Sequence, residues 1–557
     1  MKDYSREILA YALQNAMEHG KADAGKVLPK LFQHGLDRKE IPLAMKVINK
    51  TIDEVNSFNK EQREKLFEKV KDLVKKHDRT ENYDLDELPV SEVGKKMVLR
   101  MAPFPSGALH IGNTKTYLLN ALYAEKYDAD LLLVFDDTIG SAEKPADKES
   151  YDLIRDAWKW LGVKYKKEYF KSDRLQLYYE YAEKLIELNK AYVCYCKAEE
   201  LRKNRAEGKE CSCRQFPIGI QKARWKELFK PVVKEGEAVL RIKTDMQHPN
   251  PAFRDRVLFR IADREHPRVG KKYRVWPTLE MTWAVDDHVL GVTHVMRGND
   301  LMIESDMEKY IWDIFKWKHP VLIHTGLVRL EGVGAKLSKS KAQKEVKSGQ
   351  FSGWDDPRTW SVQSLARRGI RPEAIREFVQ RIGLNNQDIV VPVEALYALN
   401  RQMIDSQTDR YSFVENPVML NISEKDMQGV EKISVPKHPD RLDDTREVLV
   451  SENISISSKD FEKHKGKEVR LLHLFNVELN KKTEVTSVDN KKIPKINWVC
   501  DGVKARVLMP HGEWIEGLVE PSVVKIKTGV VIQFERFGFV KFDKFKDGVA
   551  EFWFAHN

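Results

Sequence analysis

The chain has 557 residues and a mass of 64.7 kDa, a size that corresponds to several packed domains and excludes a single small module. Hydrophobic residues make up 42% and charged residues 32%, so the composition predicts a globular protein and excludes bulk disorder. The formal net charge of +10 favours a polyanionic partner, nucleic acid ahead of a membrane surface, although a Lys-rich solvated surface explains it equally well. No apolar run approaches the roughly 18 residues that span a bilayer, and we expect a cytoplasmic protein without a membrane partner.

The first segment, residues 1–92, places apolar residues at helical spacing, as in Ile8, Ala12 and Ala16, and ends in a polar stretch. This pattern predicts an N-terminal helical domain followed by a linker. Acidic and basic residues nearly balance in this segment. We therefore expect it to contact a protein partner, or the rest of the chain, rather than RNA.

A strand–helix–strand unit follows. Residues 97–101 and 131–135 are short apolar runs typical of buried strands, and residues 113–127 between them are amphipathic. A βαβ unit implies a parallel sheet with ligands at the carboxyl ends of its strands. We assign residues 93–193 to the first half of a Rossmann-type α/β domain.

The rest of the chain divides into four further segments. A mixed segment with a cysteine cluster interrupts the α/β pattern, which resumes with strand-like residues at Val285 and from Val289 to Val295. An α-rich stretch comes next, and the tail contains apolar runs typical of β-barrels, at residues 523–526, 530–534 and 549–554. The predicted segments are an insertion over 194–277, the second α/β half over 278–345, a helical linker domain over 346–405 and a β-barrel domain over 406–557.

Two short motifs are suited to phosphate chemistry. The turn at residues 102–113 delivers His110 and Gly112 to the start of a helix, where free N–H groups and a partial positive charge favour anions. Downstream, Lys336 and Lys339 stand in a polar loop, where two ammonium groups neutralise charge that develops on a triphosphate as pyrophosphate leaves. Each motif alone is common in ordinary surface loops, but both together, in the two halves of one α/β pattern, indicate a nucleotide site.

Four cysteines form two close pairs, Cys194 with Cys196 and Cys211 with Cys213. Four soft thiolate ligands suit tetrahedral Zn²⁺, which holds small subdomains together. The single-residue spacing within each pair is tighter than the commoner two, and reduced structural cysteines are the alternative interpretation.

Taken together, the two motifs resemble the signatures of the class I aminoacyl-tRNA synthetases, His-Ile-Gly-His and Lys-Met-Ser-Lys-Ser. They stand here as His110-Ile-Gly-Asn113 and Lys336-Leu-Ser-Lys-Ser340. The resemblance covers residues 93–557 and is narrowest to the glutamyl/glutaminyl branch, in its archaeal and eukaryotic members. The segments that carry it are residues 100–107, 135–138, 285–298, 353–358, 410–414, 506–510 and 534–541.

The resemblance implies ATP-dependent attachment of glutamate to the 3′ end of tRNA(Glu) through a glutamyl-adenylate, with Mg²⁺ accompanying ATP. This chemistry asks for positioning and electrostatics more than for a nucleophilic side chain. The implied catalytic residues are His110, Lys336 and Lys339, and the implied ATP contacts are these three together with Gly112, Asn113 and Ser338.

The resemblance also implies an amino-acid pocket formed by Arg100, Ala102, Asp136 and Arg297. Arg100 is expected near the substrate carboxylates, Asp136 opposite the ammonium group and Arg297 at the substrate side chain. An arginine grips a carboxylate through two parallel hydrogen bonds, which favours glutamate over glutamine, and a glutaminyl-tRNA synthetase is the alternative. If Arg297 is instead structural, we expect its partner to be Asp286 or Asp287.

Three positions depart from the family pattern. Phe104 replaces a polar residue, Val134 an arginine and Leu279 a tyrosine. These exchanges remove hydrogen-bonding groups from the pocket or its wall, so a non-catalytic tRNA-binding paralogue is the alternative of another class.

The outer segments take roles from the same resemblance. The insertion is expected to bind the acceptor end of tRNA, and the C-terminal barrels to read the anticodon by base stacking and base-edge contacts. Some synthetases of this branch carry zinc in this insertion, so we expect structural Zn²⁺ at the four cysteines. The question whether tRNA(Gln) is a second substrate stays open, and closed barrels without sustained heptads predict a monomer.

Overall fold

The computed structural model describes residues 4–31, 34, 36, 40–74, 84–139, 145–333, 339–420, 422, 427, 429–480 and 482–557. The chain separates into two compact units, Met1–Tyr83 and Asp84–Asn557. Among the described residues, no helix is both long and apolar enough to cross a membrane.

The helices of the described residues, in chain order, are α1 Ser5–His19, α2 Ala24–Leu31, α3 Ile41–Ser57, α4 Lys60–Phe67, α5 Ile111–Lys126, α6 Lys148–Trp160, α7 Leu175–Glu187, α8 Ala198–Glu207, α9 Ile218–Glu227, α10 Leu279–Val289, α11 Met302–Phe315, α12 Lys339–Lys347, α13 Val362–Arg368, α14 Pro372–Ile382, α15 Glu394–Ile404 and α16 Ser458–His464.

The strands of the described residues are β1 Val98–Met101, β2 Asp130–Phe135, β3 Lys167–Phe170, β4 Ala191–Cys194, β5 Val239–Ile242, β6 Val257–Ile261, β7 Val275–Pro277, β8 His294–Gly298, β9 Val321–Thr325, β10 Val328–Glu331, β11 Ile389–Pro392, β12 Arg410–Tyr411, β13 Phe413–Glu415, β14 Pro417–Met419, β15 Lys432–His438, β16 Arg441–Leu449, β17 Ile454–Ser457, β18 Glu468–Leu471, β19 Asn476–Glu478, β20 Glu484–Ser487, β21 Lys495–Ile496, β22 Trp498–Cys500, β23 Val503–Leu508, β24 Trp514–Val519, β25 Val531–Phe534, β26 Gly538–Lys546 and β27 Val549–His556.

The unit Met1–Tyr83 is helical in its described part, as the spacing of its apolar residues predicts. The predicted core positions Ile8, Ala12 and Ala16 are fully buried, each with at most 1% exposure. At the start of α4, the Asn59 side chain accepts a hydrogen bond from the Gln62 backbone, and the Gln62 side chain accepts one from Asn59 in return. This reciprocal cap satisfies two N–H groups that the first helical turn leaves without partners.

Residues 84–92, which the sequence groups with the helical segment, belong to the second unit. The Leu88 backbone donates to the Tyr127 hydroxyl at 2.9 Å, and the carbonyl of Pro89 lies 2.8 Å from Nε2 of His294. These contacts tie the segment to α5 and β8 of the α/β sheet.

The α/β sheet has five parallel strands in the order β3-β2-β1-β8-β9, which confirms the predicted Rossmann-type architecture. The strand β2 is nearly continuous in apolar residues, as expected for a strand that is covered on both faces of a parallel sheet. The insertion between β3 and β8 forms its own four-stranded antiparallel sheet, β4-β5-β6-β7.

The C-terminal part is built from β-sheets, as predicted. A seven-stranded sheet in the order β12-β25-β26-β27-β23-β24-β13 forms the barrel-like unit, with a core rich in phenylalanine. A three-stranded sheet, β14-β17-β22, and a four-stranded sheet, β20-β19-β18-β21, enclose a second core.

Three of the predicted strand segments differ from the structure. Val285 lies in the middle of α10, and the strand expected from Val289 begins only at His294. Residues Met281, Ala284 and Val285 are buried at helical spacing, and a short apolar run does not distinguish a buried helix from a strand. The run at 523–526 falls in a 3₁₀ turn over Pro521–Lys525, where proline occupies the first turn position.

Candidate active site

Three of the predicted substrate residues meet at the carboxyl edge of the parallel sheet. Arg100 lies in β1, Arg297 lies in the neighbouring β8, and Asp136 directly follows β2. The strand order reverses at β1, and such a switch point leaves a crevice for ligands. A cavity of about 930 Å³ opens there, and its lining includes Arg100, Ala102, His110, Gly112, Asn113, Asp136 and Arg297.

The N-terminus of α5 forms one wall of this cavity. His110 is the N-cap residue, and its Nδ1 accepts a hydrogen bond from the Gly112 backbone at 3.1 Å. The Asn113 side chain accepts from the His110 backbone at 3.1 Å. Asn113 therefore stabilises the first turn of the helix through its own side chain, while the positive end of the helix faces the cavity.

The turn before α5 is braced by the segment after α12, which sequence reasoning missed. Gly107 has a φ of 140°, and a Cβ atom there would lie 2.2 Å from the Trp354 ring. The Ile111 backbone donates to the carbonyl of Trp360 at 3.1 Å. The predicted linker domain thus holds the His110 turn in place, and only glycine leaves room for Trp354.

Arg100 is held by a bidentate ion pair with Asp287. Its Nε and Nη2 donate to the two carboxylate oxygens at 2.5 and 2.9 Å. Asp287 lies on α10, so the pair joins that helix to β1. Both side chains are buried, and this geometry fixes the guanidinium plane at the cavity wall.

Arg297 is held in the same way, but by a residue that the sequence did not single out. Its Nη1 and Nη2 donate to Glu308 at 2.5 and 3.0 Å, and Nη1 also donates to the Ser305 hydroxyl at 3.2 Å. Asp287 lies farther away, at 3.9 Å from Nη2. Burial raises the pKa of Glu308, and the charge of Arg297 opposes this shift.

Of the two partners predicted for Arg297, Asp287 lies within ion-pair distance, at 3.9 Å, and Asp286 does not pair with it. Asp286 instead accepts from Nε of Arg174 at 2.8 Å and from the Tyr178 hydroxyl at 2.6 Å. Successive residues of a helix point in different directions, so the adjacent carboxylates of α10 serve different neighbours. Glu308 reaches Arg297 because α11 packs beside β8 in the tertiary structure.

Asp136 has a buried cationic partner that sequence reasoning also missed. The Lys171 ammonium lies 2.7 Å from Oδ1 of Asp136 and donates to the Thr282 hydroxyl at 2.7 Å. Lys171 has 0% exposure, and burial lowers its pKa against the opposing charge of Asp136. A lysine after a short edge strand carries no sequence signal for such a contact.

Three cations surround one aromatic ring at the cavity wall. Arg297, Lys171 and Arg100 lie 4.6, 5.0 and 5.5 Å from the centre of the Trp283 ring. Cation–π attraction adds to the three ion pairs. Trp283 thus stabilises three positive charges at or beside the cavity wall.

The three departures from the family pattern lie in two different places. Phe104 and Leu279 line the cavity, so both change its surface. Val134 is buried in a small apolar cluster with Val292 and Val295 and is not among the cavity-lining residues.

The downstream lysine motif is mostly outside the described residues. Lys336 and Ser338 lie outside them, and Lys339 is described only as the first residue of α12. Their roles in ATP binding and catalysis therefore stay predictions.

The four cysteines of the insertion come together, as a metal site requires. The sulfur atoms of Cys194, Cys196, Cys211 and Cys213 all lie within 4.8 Å of one another, and those of Cys194 and Cys211 are 3.7 Å apart. Four thiolates about 2.3 Å from a tetrahedral ion lie roughly 3.8 Å apart, so the set fits zinc. All four are free cysteines.

The surroundings of the cysteines favour a thiolate at Cys211, whereas the pKa values of Cys194 and Cys196 are raised. The buried guanidinium of Arg241 lies 3.9 Å from the Cys194 sulfur and 3.8 Å from that of Cys211. A hydrogen bond from the Cys194 thiol lowers the pKa of Cys211 to about 5, against the effect of burial.

Comparison with known proteins identifies the family. The chain matches models of the class I tRNA synthetases (E and Q), with the catalytic domain over residues 96–406 and the anti-codon binding domain over residues 408–498 and 477–543. A glutamate–tRNA ligase from Pyrococcus furiosus is 40% identical to it and covers 99% of both chains. Glutamate–tRNA ligases from Methanocaldococcus jannaschii, 38% identical over 97% of both chains, and Methanothermobacter marburgensis, 36% identical over 99%, are also similar. The chain therefore belongs to the class I tRNA synthetases of the E and Q branch.

Proposed function

We propose that the chain attaches glutamate to tRNA(Glu) at the expense of ATP. The observation that carries this proposal is the convergence of Arg100, Asp136 and Arg297 on one cavity whose wall also contains the N-terminus of α5. Relatives along the whole chain that bear the name glutamate–tRNA ligase support the choice of amino acid and tRNA.

In this proposal the pocket residues orient the amino acid. Asp136 accepts hydrogen bonds from the substrate ammonium group, Arg100 attracts its reacting carboxylate, and Arg297 binds the side-chain carboxylate. Ala102 keeps the floor of the pocket small. Holding the carboxylate in place turns a bimolecular encounter into an oriented attack, which lowers the entropic part of the barrier.

The α5 side of the cavity is assigned to ATP. Gly112 lets the backbone approach the phosphates, and His110 and Asn113 hold the helix terminus whose N–H groups face them. The substrate carboxylate attacks the α-phosphorus and pyrophosphate leaves. A hydroxyl of the terminal ribose of the tRNA then attacks the glutamyl carbonyl, and AMP leaves. Lys336, Ser338 and Lys339 would stabilise the departing charge together with Mg²⁺ that enters with ATP.

Further parts of the proposal concern partners and domains. The insertion over 194–277 binds the acceptor end, and the segment 406–557 reads the anticodon. The segment 1–92 contacts a protein partner, or the rest of the chain, rather than RNA. The enzyme works as a cytoplasmic monomer. Assays with purified tRNA(Gln) and labelled glutamate would measure whether this tRNA is a second substrate.

Charging of total archaeal tRNA with labelled glutamate and labelled glutamine, in parallel and with ATP and Mg²⁺, tests the function. We expect attachment of glutamate alone. Attachment of glutamine would replace the assignment with a glutaminyl enzyme, and attachment of neither would favour a tRNA-binding paralogue without catalysis.

We further propose that the four cysteines bind one structural zinc ion. Elemental mass spectrometry of the purified full chain should find about one zinc per chain, and the double variant C194S/C211S should lose it. Cys500, a buried cysteine outside the cluster, supplies the matched control, since C500S should keep the metal. A wild-type chain without zinc that melts at the same temperature with and without added zinc would leave the cysteines as reduced packing residues.

A further inference from the structure

The contact between Glu308 and Arg297 determines which edge of the guanidinium a ligand can reach. Glu308 takes the end of the fork, with bonds at 2.5 and 3.0 Å from the two terminal nitrogens, and Ser305 takes a further bond at 3.2 Å from Nη1. Within the described part of the chain, Nε of Arg297 makes no hydrogen bond. The side edge formed by Nε and Nη2 is therefore the edge left for a substrate.

The charge of Arg297 is already balanced before any substrate binds. Glu308 has 0% exposure, and no described residue other than Arg297 hydrogen-bonds to it. The two neighbouring cations around Trp283 are balanced in the same way, Arg100 by Asp287 and Lys171 by Asp136. The three cations around Trp283 are thus balanced by three carboxylates, and the pocket carries no surplus of positive charge from them.

Because the charge of Arg297 is already balanced, the pocket discriminates against the side-chain amide of glutamine less strongly than an unpaired arginine would. A buried arginine without a partner penalises glutamine, because the neutral amide leaves its charge uncompensated. Here Arg297 keeps Glu308 when glutamine binds, so that penalty is small. When glutamate binds, its side-chain carboxylate shares one guanidinium with Glu308, and the two like charges repel across it.

We propose that Glu308 is a specificity-determining residue that acts through Arg297, and that its charge limits the preference of the pocket for glutamate over glutamine. The inference rests on the proposed function and deepens it. Removal of the buried charge of Glu308 should therefore raise the ratio of glutamate affinity to glutamine affinity.

The variant E308Q tests this prediction, since it removes the charge and keeps the size of the side chain. Calorimetric titration of the full chain with glutamate and with glutamine measures both affinities without turnover. We expect the ratio of glutamate to glutamine affinity to rise roughly tenfold in E308Q, mainly through tighter glutamate binding. In charging assays the same change should appear as a lower KM for glutamate at an unchanged kcat.

Two control variants separate charge from positioning. E308D keeps the carboxylate and should keep a ratio near that of the wild type. E520Q makes the same chemical change in another buried arginine–glutamate pair, Arg446–Glu520, far from the pocket in sequence and in a different sheet, and should leave the ratio unchanged.

Two outcomes would overturn the proposal. An unchanged ratio in E308Q would mean that the charge of Glu308 has no influence on selectivity. Weaker glutamate binding in both E308Q and E308D would mean that Glu308 only positions Arg297. A wild-type chain that charges no tRNA with glutamate would refute the proposed function instead, and the calorimetric ratio would still decide the role of Glu308.

Discussion

Two buried arginine–glutamate pairs of the molecule use different edges of the guanidinium group. Glu308 binds the two terminal nitrogens of Arg297, whereas Glu520 binds Nε and Nη2 of Arg446. In the pocket, Arg297 and Glu308 have side-chain exposures of 5% and 0%, and in the C-terminal sheets Arg446 and Glu520 have 7% and 3%. Both pairs are bidentate, with distances of 2.5 and 3.0 Å in the first and 2.7 and 3.0 Å in the second.

The two pairs differ in whether the arginine keeps a nitrogen that makes no hydrogen bond within the described structure. Arg446 uses all three nitrogens, since Nη1 also donates to the carbonyl of Pro436 at 3.2 Å, and Glu520 also accepts from the Ser412 backbone at 2.7 Å. Arg297 borders a cavity and keeps Nε available within the described structure. An arginine–glutamate pair whose polar groups are all hydrogen-bonded within the protein stabilises the fold. A pair that keeps one guanidinium edge available beside a cavity can also bind a ligand.

The largest effect should follow from removing the arginine of the pocket. R297A leaves Glu308 buried without a partner and removes the group that binds the substrate side chain, so kcat/KM for glutamate should fall about a thousandfold, or ~4 kcal/mol. Steady-state charging of tRNA measures this loss.

The double variant R297M/E308M is the control that separates loss of binding from loss of folding. Replacing both partners by apolar side chains of similar length is often neutral for stability. It should fold and still fail to charge. Charging by this double variant at the wild-type rate would remove Arg297 from the substrate site.

The second effect should be confined to stability. R446A leaves Glu520 buried and uncompensated, so the free energy of unfolding of the C-terminal sheets should fall by about 3–5 kcal/mol. Denaturant titration followed by tryptophan fluorescence measures it. Below the unfolding transition, the ratio of glutamate to glutamine binding should equal that of the wild type, and a changed ratio would break the distinction between the two pairs.

The smallest effect concerns the third cation of the pocket. K171M removes the partner of Asp136, whose carboxylate is then free to meet the substrate ammonium group. We expect the free enzyme to melt at a lower temperature and glutamate to bind roughly fivefold more tightly, or ~1 kcal/mol. Thermal melting with and without saturating glutamate measures both. A glutamate-induced rise in melting temperature smaller than that of the wild type would contradict the assignment of Asp136.

Much of the α5 terminus could be predicted from the sequence because its interactions are local. His110, Gly112 and Asn113 lie within four residues, and their capping bonds form inside one helical turn. The βαβ alternation around them also follows from short-range periodicity. The same periodicity failed at Val285, where a buried helix and a buried strand have the same composition.

The partners of the pocket charges could not be predicted in this way. Arg100 and Asp287 are 187 residues apart, and the Trp354 ring covers Gly107 from a segment on the other side of the insertion. Even Glu308, only 11 residues from Arg297, depends on how α11 packs against β8. The sequence predicted Asp286 or Asp287 as the partner of Arg297. Asp287 does lie 3.9 Å away, but the bidentate partner is Glu308, because helix packing directs Asp286 toward Arg174.

The order of the segments, the α/β alternation, part of the cavity lining and the four cysteines of the insertion could be predicted from the sequence. These follow from period, turn chemistry and short motifs, which act over a few residues. The pairing of each cation around Trp283 with its own carboxylate depends on the tertiary structure, since the strand order and the helix packing bring distant charges together. Burial then forces every charge to find a partner, because an uncompensated ion in a low-dielectric interior costs several kcal/mol.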